Sequence, residues 1–134
     1  MKKIIWVGDS TVAFNQADTY PQTGIGQEFD RYCKRDYLVL DYAKNGRSSK
    51  SFYNEGLFAP AREIMEEGDF LFIQFGHNDE KPDEERRTEP YTTFQEHLMI
   101  YVNAAREKGA YPVLITPLSR RLFQEDGTIQ NSHG

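Results

Sequence analysis

The sequence predicts an α/β fold, a three-layer α/β/α arrangement around a parallel sheet in the strand order 2-1-3-4. Three observations carry that expectation. Four short apolar runs, at residues 4–7, 37–40, 70–73 and 113–115, are continuous rather than alternating, which suits strands covered on both faces. Helical patterns separate the runs. The resulting order β-α-β-α-β-α-β is that of a mostly parallel sheet with right-handed crossovers.

The elements follow in chain order. The strand at 4–7 comes after Met1-Lys2-Lys3, a start that mimics a signal peptide. Its apolar stretch is far too short for one. Ile25, Phe29, Tyr32 and Cys33 recur at helical spacing before the second strand. Ala61, Ile64 and Met65 do so before the third, with Gly68 placed to stop that helix. Residues 81–89 read as a polar loop. Residues 90–108 make the clearest helix: Phe94, Leu98, Tyr101, Val102 and Ala105 form one apolar stripe, Pro90 stands near the start and Gly109 just past the end.

After the fourth strand the text is polar, through Arg120-Arg121 and a turn signal at Asp126-Gly127. Doubly wound sheets usually have five or more strands, and four are found here. The expectation is one domain over 1–134, the N-terminal portion of a larger unit whose fifth strand and last helix-strand-helix are missing. Strand four would then be an open edge, able to recruit a second copy.

Composition narrows the function classes. A chain of 134 residues fits one domain with a real core, and 9 Phe with 8 Tyr make that core aromatic. With 16 Lys and Arg against 21 acids the net charge is −5, so nucleic acid is excluded as a partner class. One cysteine, Cys33, permits no intrachain disulfide. No segment is long and apolar enough to span a membrane. A cytoplasmic location is the default expectation.

Three polar knots follow the first three strands. Gly8-Asp9-Ser10-Thr11 puts a hydroxyl at the carboxyl end of strand one, where doubly wound sheets bind ligands. Lys44-Asn45-Gly46-Arg47-Ser48-Ser49 follows strand two, with a backbone N–H at Gly46 that no side chain shields. Gly76-His77-Asn78-Asp79 follows strand three and brings an amide N–H at Asn78. Singly, the first and third are better explained as turns and the second as a solvated loop with a serine capping the next helix. Together they supply a nucleophile and an anion cradle, the parts acyl transfer needs.

On these residues the chain resembles the SGNH, or GDSL-like, hydrolases. Gly8-Asp9-Ser10 matches the family's first block, Gly46 the second-block glycine, and Gly76-His77-Asn78-Asp79 the third block. Within the family it is most similar to the rhamnogalacturonan acetylesterase group, through Gly8 to Val12, Asn45 to Phe52, Phe75 to Asp79 and the tail from Arg120 to Gly134. The resemblance implies a flavodoxin-like fold and an acetyl ester on a plant cell-wall polysaccharide, or its fragments, as substrate. It implies Ser10 as nucleophile, with its own N–H, that of Gly46 and the Asn78 side chain as the oxyanion hole. No metal or organic cofactor is implied.

The family's fourth block, Asp-x-x-His, supplies the base and the residue that orients it. No Asp-x-x-His occurs in this chain. His77 reads as a loop brace, His97 as a helix-surface residue, and His133 lies at the wrong spacing from Asp126. None of the three is expected to act as the base, so this chain alone is expected to be nearly inactive. Arg47, Lys50, Arg120 and Arg121 would favour an acidic sugar backbone or serve as ordinary surface charge. Two other classes compete: a non-catalytic sugar-binding or assembly fragment, and a flavodoxin-like binding module. The second lacks the glycine density of nucleotide loops.

Overall fold

The computed structural model describes residues 2–13, 24, 29, 37–76 and 78–117. Their elements are β1 (Lys2–Gly8), β2 (Tyr37–Asp41), α1 (Ser49–Asn54), α2 (Ala59–Ile64), β3 (Phe70–Gln74), α3 (Thr93–Glu107) and β4 (Tyr111–Leu114). The strands form one parallel sheet, as the alternation predicts, and its order is β2-β1-β3-β4, the one expected. Of the helix expected around residues 25–33, only Phe29 is described, as a helical residue.

Register follows from which side chains each strand must bury. Ile4 pairs with Val39 on one side of β1 and Phe70 on the other, and Gly8 pairs with Gln74. Alternate residues of β1 feed two cores. Ile5 and Val7 join Leu71, Ile73, Phe52, Phe58, Met65 and Tyr101 on one face. Ile4 and Trp6 join Val12, Phe29, Val39, Phe70 and Phe72 on the other. A strand buried on both faces has no polar face to show, hence its unbroken apolar text.

Aromatic rings dominate both cores. Trp6, Phe29 and Phe72 meet edge-on with centroids 5.1–5.5 Å apart. On the opposite face the Tyr101 ring lies edge-on to Phe58 at 4.8 Å and stacks on Phe75 at 5.4 Å. Pairs of this kind add about 0.5–1.5 kcal/mol beyond the area they bury. Tyr101, Val102 and Ala105 of the α3 stripe are buried, and Phe94 and Leu98 pack beside them.

Several boundaries differ from the expectation, and α3 runs from Thr93 to Glu107 rather than over 90–108. The connection from β2 to β3 holds two short helices instead of one, because Ser48 caps α1: its hydroxyl accepts from Ser51 N–H, while Ser51 Oγ accepts from Ser48 N–H. Gly68 does not end α2, which stops at Ile64 when Met65 turns extended (ψ 133°). Gly68, at φ +85°, instead forms the turn into β3 and donates to Gly109 O at 3.0 Å. Strand four begins earlier than predicted, at Tyr111, whose N–H reaches Asp69 O at 2.8 Å.

β4 pairs only with β3 among the described strands. Tyr111 and Leu114 are more than half exposed there. Pro112, which has no N–H to offer a ladder, is tolerated at such an edge.

Candidate active site

Gly8 is the point on which the three loops converge. Its carbonyl accepts from Lys44 N–H at 3.1 Å on the β2 side. On the β3 side it pairs with Gln74. A side chain would not fit there, since a Cβ on Gly8 would lie 2.6 Å from Gln74 O. Absence of that carbon lets the ends of β1 and β3 close up, so the loops leaving all three strands start from one place.

Ser10 lies in the turn that leaves β1. Asp9 builds the turn: its carbonyl accepts from Val12 and Ala13 N–H at 3.1 and 2.9 Å, and its Oδ1 accepts from the Thr11 N–H and hydroxyl at 3.0 and 2.7 Å. Asp9 is buried, whereas Ser10 is half-buried. The Ser10 hydroxyl makes no hydrogen bond with another described residue. Asp9 Oδ1 is thus committed to the turn, while its buried Oδ2 has no partner among the described residues.

Gly46 has φ +76°, and a Cβ there would meet nothing within 4 Å. The left-handed conformation calls for glycine, and the surrounding space is open. Asn78 is buried. Its Nδ2 donates to Arg47 O at 3.0 Å, so the loops carrying Gly46 and Asn78 touch directly. Its Oδ1 accepts from Arg86 at 3.3 Å. Ser10, Gly46 and Asn78 all lie at the carboxyl end of the sheet.

Asp79 ties the same loops a second time. It accepts from Ser49 N–H at 2.9 Å, from the Ser49 hydroxyl and from Thr88 Oγ1 at 2.9 Å. Tyr101 then donates from its hydroxyl to Ser49 O at 2.6 Å. Burial pushes the Asp79 carboxyl above its ordinary range, against the opposing pull of the Ser49 and Thr88 donors and of the His97 charge. In the sequence Asp79 has no role beyond closing the third knot, at the head of the acidic run from Asp79 to Glu85. A signal was available: Asp79 directly follows Asn78 at the end of an apolar strand, while the rest of the run lies further out.

The histidines and basic residues sort differently. His97 is half-buried rather than on the surface. Its Nδ1 donates to Thr93 O at 2.8 Å. His77, His133, Arg120 and Arg121 lie outside the described residues. Arg47 pairs with Glu55 at 2.9 Å, and Lys50 reaches the Glu84 carbonyl at 2.7 Å. Among the described residues, no group of His, Cys, Asp and Glu side chains is set to hold a metal.

Comparison with known proteins adds the chemistry. No family model matches the chain. It is 45% identical over 137 residues to the rhamnogalacturonan acetylesterase RhgT of Bacillus subtilis, covering 100% of this chain and 58% of that protein. It is 43% identical to a probable rhamnogalacturonan acetylesterase, YesY, of the same organism, over 96% of this chain and 58% of the relative. The chain is thus similar to these acetylesterases along essentially its whole length. The crystal structure of YxiM from Bacillus subtilis superposes on this domain with a TM-score of 0.82 at 27% identity, over 93% of this chain and 35% of that one. The domain therefore spans a little over half the length of the acetylesterases it matches. No described helix is long and apolar enough to cross a membrane.

Proposed function

We propose that the protein is a serine esterase that removes acetyl groups from a carbohydrate of the pectin or rhamnogalacturonan type. The observation that carries this is the meeting of the Ser10, Gly46 and Asn78 loops at Gly8, in a chain 45% identical to a rhamnogalacturonan acetylesterase. Ser10 Oγ attacks the acetyl carbonyl. The oxygen of the tetrahedral intermediate takes hydrogen bonds from the N–H groups of Ser10 and Gly46 and from Asn78 Nδ2. Its collapse expels the sugar hydroxyl and leaves acetyl-Ser10, which water hydrolyses to acetate.

A serine hydroxyl needs a base in hydrogen-bond reach to attack at enzymatic rates. The 134 residues contain no Asp-x-x-His. By itself the chain is then left with the cradle's residual rate, on the order of 1000-fold over water. That deficit also favours the second reading, a non-catalytic sugar-binding or assembly fragment of the same fold.

The partners follow from the same reading: an acetylated oligosaccharide or polysaccharide, and a second copy of the chain along the exposed β4 edge. A cytoplasmic site of action would suit oligosaccharide fragments over intact polymer.

Hydrolysis of an aryl acetate by the purified chain tests the proposal. Slow release that stops in Ser10→Ala is expected. Release equal in the parent and in Ser10→Ala would overturn the esterase reading. A full enzymatic rate, lost in Ser10→Ala, would show that the base lies within these residues.

A further inference from the structure

An asparagine amide offers an oxyanion a donor only if its nitrogen end faces the site, and rotation by half a turn would present the oxygen instead. Asn78 is held by one partner at each end. The Arg47 carbonyl takes a hydrogen from Nδ2 at 3.0 Å, and the Arg86 guanidinium donates to Oδ1 at 3.3 Å. Reversal would set oxygen against a carbonyl and an NH2 group against a cation, so both partners enforce one orientation. One Nδ2 hydrogen is spent on Arg47 and the other is left over.

Arg86 is itself locked. Its Nε lies 2.9 Å from both Asp83 oxygens, and another guanidinium nitrogen lies 2.7 Å from Asp83 Oδ1. The remaining nitrogen is the one that reaches Asn78. The loop behind it is closed at its neck by Thr88, whose N–H and hydroxyl bond the Asp79 carbonyl and carboxylate at 3.1 and 2.9 Å. Inside it, the Asp83 carbonyl takes the N–H groups of Arg86 and Arg87 at 3.2 and 2.9 Å. A polar excursion that would otherwise read as solvated surface thus returns one cation to the candidate site.

We infer that Arg86 is the positioning residue of Asn78: it fixes which end of the amide faces Ser10 and polarises that amide as a donor. This rests on the reading of Asn78 as an oxyanion donor. A cation on Oδ1 draws density out of the amide and makes the free N–H a stronger donor.

The test uses two readouts on the 134-residue chain: the Asn78 side-chain amide resonances, and acetylation of Ser10 by para-nitrophenyl acetate followed by intact mass. In Arg86→Met the Asn78 resonances shift and the limiting acetylation rate falls about tenfold, the worth of one hydrogen bond, with half-saturation unchanged. Arg86→Lys, which keeps the charge and the fold, recovers part of the rate. Arg87→Met, changed at the neighbouring exposed pair with Glu89, matches the parent. Unmoved Asn78 resonances in a folded Arg86→Met, or shifted resonances with an unchanged rate, would overturn the inference. Acetylation undiminished in Asn78→Ala, or absent from the parent, would instead remove the oxyanion reading beneath it.

Discussion

Asp79 accepts the backbone N–H of Ser49 at 2.9 Å, so the loop after β3 holds the start of the helix that follows β2. The contact is buried at both residues and binds two segments thirty residues apart into one unit.

Removing that acceptor strands several donors at once. In Asp79→Ala the Ser49 N–H, the Ser49 hydroxyl and the Thr88 hydroxyl lose their partner. Leaving buried donors unmade costs about 1–3 kcal/mol each before relaxation. A net loss of about 3 kcal/mol is expected in urea unfolding. Tyr101→Phe, which deletes only the bond to Ser49 O, should cost about 1 kcal/mol. Equal losses in the two variants would argue that Asp79 is not the centre of the network.

Gly46 and Gly8 should respond to alanine in opposite ways. At Gly46 the added carbon meets nothing, but φ is +76°. Stability should drop by only about 1 kcal/mol, while acetylation of Ser10 falls steeply because the N–H swings as the backbone relaxes. At Gly8 the carbon lands 2.6 Å from the Gln74 carbonyl and 2.9 Å from Val12. Backbone cannot yield cheaply, so Gly8→Ala should lose about 3 kcal/mol or more, measured by thermal melting.

Asp41 gives the chain an unfavourable carboxylate at neutral pH. Burial raises its carboxyl from 3.8 to about 6, although the bond from Ala43 N–H opposes the rise. The native chain therefore holds this proton more tightly than the unfolded chain, and Asp41's contribution to stability falls as pH climbs from about 4 to about 6. Asp41→Asn keeps an acceptor for Ala43 and removes the charge. After allowance for solvent screening at this half-buried site, the variant should match the parent near pH 4 and exceed it by about 1–2 kcal/mol near pH 7. Parallel stability–pH curves for the two proteins would count against this.

The β4 edge should mediate self-association. Tyr111 and Leu114 are exposed on a strand paired on one side only among the described strands. Leu114→Lys places a charge on that edge, which should shift sedimentation of the concentrated protein toward monomer. A parent chain already monomeric at high concentration would refute the expectation.

The sequence by itself determined the sheet. Continuous apolar runs such as 70–73 occur only where both faces of a strand are covered, and the helical stripe from Phe94 to Ala105 can bury only one side of its helix. Those periodicities are local, so they are legible without a structure. Gly8, Ser10, Gly46 and Asn78 were legible as well, because hydroxyl, amide and glycine stood directly after strands whose order was already in hand. The tertiary structure alone decided which polar residues hold those loops. Asp79 and Arg86 look alike in sequence, both members of a charged run. Their difference arises because Asp79 is buried against Ser49 and Thr88, and Arg86 is turned back onto Asn78. The contacts from Asp79 to Ser49 and from Asn78 to Arg47 span about thirty residues, and no periodicity of a single segment encodes a distance of that kind.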